Sequence, residues 1–447
     1  MLNAAFSWRR AAKGVKRSLA LKPQDRPTTP AERRRAYALL FACLMVVGVG
    51  NSLLFAILPP IARRLDIAEV FVGLVYTLAA TLFVLTSPLW GRISDSVGRR
   101  PIVVLGMAAY AVSMSGIAIV VSLGLAGHIS AGLTFLLLAL SRSLFGGIGS
   151  ASGPAAQAYV ADRTKPEDRT EALAALTAAL GLGAAIGPGV AAWLGGRLGL
   201  VAPMIVSASL AAIAAIAVWI ILPEKTPPKQ TGAKPGVFRS FAYATDPRVA
   251  PFLLFGVGIW IVQAVTLQTI NFYVMDRLGV EGVQATQLAG AVLMGGALAM
   301  LIAQLVLIPR LHAPPRTLML LGAVIALFAN VFLAVSANFG EIFFAYALSG
   351  IGIGLSRPGM AGGASIAVTR SEQGAVAGMV NSTAGVGFLA APVIGLLTYQ
   401  TLGPSIPYWI SAGIILAAIV YAWFSPRIRA VSAILREPAA EASEDPH

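Results

Sequence analysis

A chain of 447 residues in which 57% are hydrophobic and 12% charged departs far from the soluble norm of about 25% charged, which excludes a water-soluble core. The formal net charge of +14 is concentrated at the N-terminus and in short breaks between apolar runs. No aromatic-rich basic surface accompanies it, so nucleic acid is excluded as the expected partner. Runs of about 20 apolar residues cross a bilayer as helices, and twelve are expected. In the first half they cover 36–59, 70–90, 101–123, 132–160, 172–195 and 201–222; in the second, 249–275, 284–309, 317–336, 342–368, 374–399 and 405–424. The 46 glycines fit close helix approach in lipid, and the segments are too long and too evenly apolar for the alternating strands of a barrel. The expected fold class is an all-α membrane protein. The fourth and tenth spans exceed the length that a bilayer needs, so tilt or an inner extension is expected.

Residues 1–35 form a basic tail with ten Lys/Arg and two acids. It reads as a disordered cytoplasmic tail, as an amphipathic helix on anionic lipid, or as a transit peptide. No short apolar segment of the signal-peptide type precedes the first span. Cys43 is the only cysteine, which leaves no disulfide framework and no cysteine-based metal site; no metal or other cofactor is expected, and His128, His312 and His447 read as surface residues. With both ends inside, 27 of the 33 Lys/Arg fall in cytoplasmic segments, four outside and two within spans, as the positive-inside rule requires.

After the second span comes Gly91-Arg92-Ile93-Ser94-Asp95-Ser96-Val97-Gly98-Arg99-Arg100-Pro101. Its two glycines permit a tight reversal, Pro101 suits the start of a helix, and Asp95, Arg99 and Arg100 can pair with neighbouring helices. The fourth span carries Leu140-Ser141-Arg142-Ser143-Leu144-Phe145-Gly146-Gly147, with Arg142 roughly 15 Å deep along the helix. The fifth carries Gly183-Ala184-Ala185-Ile186-Gly187-Pro188-Gly189, in which proline and small residues promise a bend against the opposite bundle. The stretch 223–248, rich in Pro and Lys, reads as a linker.

The chain repeats itself. Pro154 and Pro358, and Gly183-x-x-x-Gly187-Pro188 and Gly387-x-x-x-Ala391-Pro392, recur at one offset of 204, as do Glu167-Asp168-Arg169 and Ser371-Glu372-Gln373. Parallel six-helix repeats put a substrate route between the halves, near the bilayer midplane. The domains expected are a tail 1–35, a bundle 36–222, a linker 223–248, a second bundle 249–424 and a tail 425–447.

None of the 19 acids lies deep in a span; Asp66, Glu69, Asp276, Glu281 and Glu341 sit at the outer face. The first span offers Asn51, the seventh Gln263, Gln268 and Asn271, and the eleventh Asn381. A second intramembrane cation, Arg357, stands before Pro358. Without a membrane acid it either anchors an anion or braces backbone carbonyls at a break in its helix. Arg142 can likewise hold backbone carbonyls of the first span. No nucleophile and base pair appears, so an enzyme is not expected.

These motifs resemble those of the major facilitator superfamily, in the form of the twelve-helix drug/proton antiporters that include tetracycline exporters. The resemblance implies two pseudo-symmetric six-helix bundles, alternating access, and a multi-pass protein of the cell (inner) membrane that works as a monomer among membrane lipid. It assigns gating to Gly91, Asp95, Gly98, Arg99, Arg100, Gly183, Gly187 and Pro188. Asp95 would latch the inner gate against the turn at Ser371–Gly374. For Arg142 it adds a part in proton transfer. Substrate or coupling candidates are Asn51, Arg142, Gln263, Gln268, Asn271, Arg357 and Asn381. The implied function is multidrug-type efflux of a small amphipathic organic molecule by proton antiport. The neutral helices leave two alternatives: a facilitator or symporter of an organic anion or lysolipid-like amphiphile held by Arg357, and a transporter-fold receptor or lipid sensor.

Overall fold

In a computed structural model of the chain, residues 29–164, 169–224, 244–369 and 372–434 are described. Among them, twelve helices are long and apolar enough to cross a membrane, as the apolar runs require. In the first half these are α1 (Pro30–Arg64), α2 (Glu69–Val97), α3 (Arg99–Leu125), α4 (Ala131–Ala161), α5 (Arg169–Leu198) and α6 (Ala202–Ile221). In the second half α7 spans Ala250–Leu278, α8 Gly282–Leu311, α9 Pro315–Val335 and α10 Phe339–Ile366. Next, α11 runs over Gln373–Ala391 and continues through a π turn at Pro392–Leu397 into Thr398–Leu402, and α12 covers Ile406–Phe424. We call the end of the bundle that carries the Gly91–Pro101 loop inner, and the opposite end outer.

Local chemistry sets the helix ends. Thr29 and Glu32 form a capping box that satisfies backbone donors on both sides, so α1 begins well before the apolar run does. The long fourth span is not straight helix: it passes through a 3₁₀ turn at Gly149–Ala151. The tenth runs unbroken through Pro358, so the helix break expected there is absent; the proline removes one backbone hydrogen bond, to the Gly354 carbonyl, without ending the helix. The expected C-terminal tail starts as a helix, α13 (Pro426–Ile434), pinned by the fully buried Ile428. The basic tail 1–28 and residues 225–243 of the linker lie outside the described residues.

Small residues set the helix spacing. A Cβ at Gly183 would lie 2.3 Å from the Met45 carbonyl oxygen, and one at Gly387 would lie 2.5 Å from that of Trp260. Thus α5 seats on α1 as α11 seats on α7, and the repeat offset read from the sequence is a repeated contact. The expectation that Gly183 and Gly187 face the opposite bundle is not met. A Cβ at Gly187 would stand 2.4 Å from the Val49 oxygen, so both glycines bind α5 to its own bundle. The residues of this motif that meet the other half are Pro188, whose carbonyl oxygen would be 2.6 Å from a Cβ on Gly290 of α8, and Gly189, against Met294.

Across the halves, polar contacts gather in the outer part. Asn271 of α7 donates to the Phe55 and Ala56 carbonyls of α1 at 3.1 and 2.8 Å. Thr77 of α2 donates to the Phe388 carbonyl of α11 at 2.7 Å. Toward the inner end, Val84 and Leu85 of α2 and Ser382 and Val386 of α11 wall a groove of about 890 Å³. The halves are therefore pressed together outside and parted inside.

Candidate functional site

Between the halves, under the outer contacts, lies a cavity of about 340 Å³ whose walls include Asn51, Phe55, Gln263, Thr266, Tyr346 and Ser349. It draws on α1 and α5 from one half and on α7, α8 and α10 from the other. A hollow of about 540 Å³ at the inner ends of α1, α4 and α5 is larger, but it is lined from one half only. The smaller cavity is the candidate site because there the polar groups of both halves converge.

Each half supplies one arginine to it through a neutral amide, Arg142 buried and Arg357 half-buried. Arg142 of α4, 6% exposed, donates from Nη2 to Asn51 Oδ1 at 2.7 Å and stands over the Phe145 ring, 4.7 Å from its centroid. Arg357 of α10 donates from Nη1 to Gln263 Oε1 at 3.2 Å and stacks on Trp260 at 3.7 Å. The partners seen are side chains, whereas one of the two readings of each arginine had it holding backbone carbonyls. A guanidinium has donors and no acceptor, so it engages the oxygen of each amide. What Asn51 and Gln263 have left for the cavity is their NH₂ groups, polarised by the cation behind. Arg357 does not line the cavity itself and reaches it through Gln263.

The other candidates divide. Asn271 belongs to the outer seal. Gln268, 3% exposed, sits in the same seam with neither side-chain oxygen nor nitrogen hydrogen-bonded among the described residues. Asn381 lies on α11, and its side chain is outside the described residues.

In the inner loop, Gly98 has φ 113° and makes the reversal; Gly91, expected to share it, is inside α2. Arg99, 7% exposed, joins Asp95 at 2.5 Å, Asp162 just past the end of α4 at 3.0 Å and the Ser94 hydroxyl at 2.6 Å. Arg100 donates to the Trp219 carbonyl and stacks on that ring. Glu224 accepts from the backbone N–H groups of Arg99 and Arg100 at 3.1 and 2.8 Å, an anion at the positive end of α3. Burial pushes its carboxyl above the usual range, against the pull of those N–H groups. These contacts tie the loop to its own half. Of the expected receiving turn, Ser371 lies outside the described residues. Glu372 pairs with Arg248 at 2.9 Å, and that bond, with the Thr369 N–H, holds its carboxyl down at about 2.

An outer lock is absent from the sequence expectations. Arg63 at the end of α1 bonds Glu69 of α2 at 2.8 Å and crosses to Asp276 of α7, whose Oδ2 it meets at 2.9 Å. Tyr399 of α11 donates to the same carboxylate at 2.5 Å. The signal was available: opposite charges stand at the outer ends of the first and seventh spans, which are equivalent helices of the repeat.

Two six-helix halves closed at one end around a central cavity define a membrane transporter rather than an enzyme. Residues 40–313 and 298–444 match the family model of the Major Facilitator Superfamily, and the chain belongs to that family. It is 27% identical over 413 residues to Multidrug resistance protein 1 of Bacillus subtilis (strain 168), covering 87% of this chain and 96% of that one. It is 26% identical over 390 residues to the class B tetracycline resistance protein of Escherichia coli, covering 83% and 89%. A crystal structure of a bacterial homologue of the human lysosomal transporter Spinster, inward-facing and unoccupied, superposes with a TM-score of 0.69 at 14% identity, over 91% of this chain and 98% of that one.

Proposed function

We propose that this transporter exports an amphipathic organic molecule carrying an anionic or hydrogen-bond-accepting group, loading it from the inner side. The observation that carries the reading is the pair Asn51–Arg142 and Gln263–Arg357. Together they turn two neutral amides into donors on opposite walls of an otherwise largely apolar cavity, with no carboxylate among the described lining residues. A cationic drug would meet two cations behind those donors, whereas a carboxylate, phosphate or carbonyl would meet N–H groups. Export is supported by the resistance proteins among the relatives, since resistance through a transporter requires removal of the drug. The charge bias of the loops supports inner as cytoplasmic, with both termini there.

The test is uptake into proteoliposomes of opposed orientation, with and without a pH gradient, together with binding by titration on purified protein. Acidic and neutral amphiphiles should bind better than cationic ones. Arg357→Ala should weaken binding about tenfold or more, as loss of a charge-assisted bond implies, and Arg357→Lys should lose less. A cationic substrate whose affinity ignores both changes would defeat the reading. Binding without any transport would favour a receptor. Transport driven by the pH gradient would place the protein among the antiporters; indifference to it would leave a facilitator.

A further inference from the structure

The outer seam holds buried polar groups that closure does not use. Tyr76 of α2 is 5% exposed and Gln268 of α7 is 3% exposed, and they come from opposite halves. Among the described residues, the Tyr76 hydroxyl and both polar atoms of the Gln268 side chain have no hydrogen-bond partner. Gln268 is aimed across the seam: its Oε1 lies 2.9 Å from where a Cβ of Gly73 would stand, one turn from Tyr76 on the same face of α2. Arg142 also leaves Nε and Nη1 unpaired, and it is held by Asn51, one helical turn from Phe55 on α1. Only one ring separates this group from the cavity, for Phe55 lines the cavity and stacks on Tyr76 with centroids 4.3 Å apart.

Buried polar atoms without partners are rare and costly. A seam meant only to seal would carry hydrocarbon at these positions, as Val72, Ile270 and Leu396 do nearby. We propose that Tyr76, Gln268 and the free edge of Arg142 form a second binding position on the outward path, which receives the polar end of the substrate when the outer lock releases. The inference rests on the reading of the substrate given above. The acceptor group first held by the Asn51 and Gln263 amides is handed past Phe55 to a phenol, an amide and a guanidinium. The unsatisfied groups also make the closed seam less stable than an apolar one, so the outer end is poised to open.

Gln268→Leu, close in shape and without polar atoms, separates this account from simple packing. In proteoliposomes it should lower the maximal rate about tenfold, while affinity measured from the inner side stays within about twofold. Thermal stability should rise, because the seam is relieved of an unpaired amide. Tyr76→Phe should act in the same direction and less strongly. Stability lost along with rate would show a packing residue, and an unchanged rate would show that the seam is passed without contact; either overturns the proposal. An equal fall in affinity and rate would also overturn it, by placing Gln268 in the first site. If titrations on Arg357 variants show no anchoring while Gln268→Leu still divides rate from affinity, the substrate reading fails and the second position stands.

Discussion

At the outer end, polar contacts cross between the halves; at the inner end, the ion networks described above stay within each half. Arg63 joins Glu69 of its own half to Asp276 of the other, and Asn271 and Thr77 donate across the same seam. Inside, Arg99 gathers Asp95 and Asp162 from its own half, and Arg248 gathers Asp246 and Glu372 from the other. The lesson concerns how a two-state machine is stabilised. In the state seen, the outer charges bridge the two halves, while the inner networks named here join groups of one half. Such a device needs contacts of similar worth at both ends, so that a ligand of modest differential affinity shifts the balance.

The comparison can be broken most severely through packing. Gly183→Leu or Gly187→Leu forces side chains into the α1 backbone, a contact inside one half that both states need. Overpacking of about 1–3 kcal/mol or more should lower thermal stability and the yield of folded protein. Gly290→Leu meets the Pro188 carbonyl across the seam instead. It should leave the halves folded while making the outer end accessible to a water-soluble thiol reagent at an introduced cysteine. Gly195→Leu, with Thr286 Cγ2 at 3.7 Å, should be mild. Equal behaviour of all these variants would remove the distinction between contacts within and across halves.

Charge changes should act next. Asp276→Asn weakens the outer lock. Arg63 and Asp276 are each about 30% exposed, so a loss of about 1 kcal/mol is the appropriate scale. That is roughly fivefold in favour of the outer-open form, read as outer accessibility. Asp95→Asn keeps the shape of the side chain and removes the charge paired with Arg99, so the protein should still fold. It should slow transport at equal expression if that charge latches the inner gate. Unaltered transport would end its assignment to the gate.

The smallest effect expected is that of acid on the Arg248–Glu372 clamp. Glu372 has its carboxyl held at about 2, below the ordinary value of 4.5. The clamp is therefore at full strength above that value and is lost as pH falls from it toward about 2. Protection of the Thr369 and Glu372 backbone, followed by hydrogen exchange between pH 7 and 5, should not change.

The spans were legible because a bilayer imposes one length and one composition, and the repeat because Pro154/Pro358 and Gly183/Gly387 recur at one offset. The inner loop was legible as a motif. Partner choice was not. That Arg142 and Arg357 would meet Asn51 and Gln263 depends on helix rotation, which these nearly uniform apolar helices leave unmarked in sequence. The same blindness put Gly183 against the wrong half. Asp276 was read only as an outer acid, because pairing it with Arg63 needs the approach of helices 213 residues apart.

The central claim is that the outer and inner contacts exclude one another as the halves rock about the cavity. It is tested most directly by paired cysteines in a Cys43→Ala background, one pair at Gly195 and Thr286 in the outer seam, where a Cβ on Gly195 makes ordinary contact at 3.7 Å, and one at Leu85 and Ser382 in the inner groove. The account predicts ready cross-linking of the outer pair in the resting protein. Substrate and an imposed gradient should then lower the outer yield and raise the inner yield together. Both pairs cross-linking at yields that substrate does not move, or the inner yield rising with no fall in the outer, would contradict it.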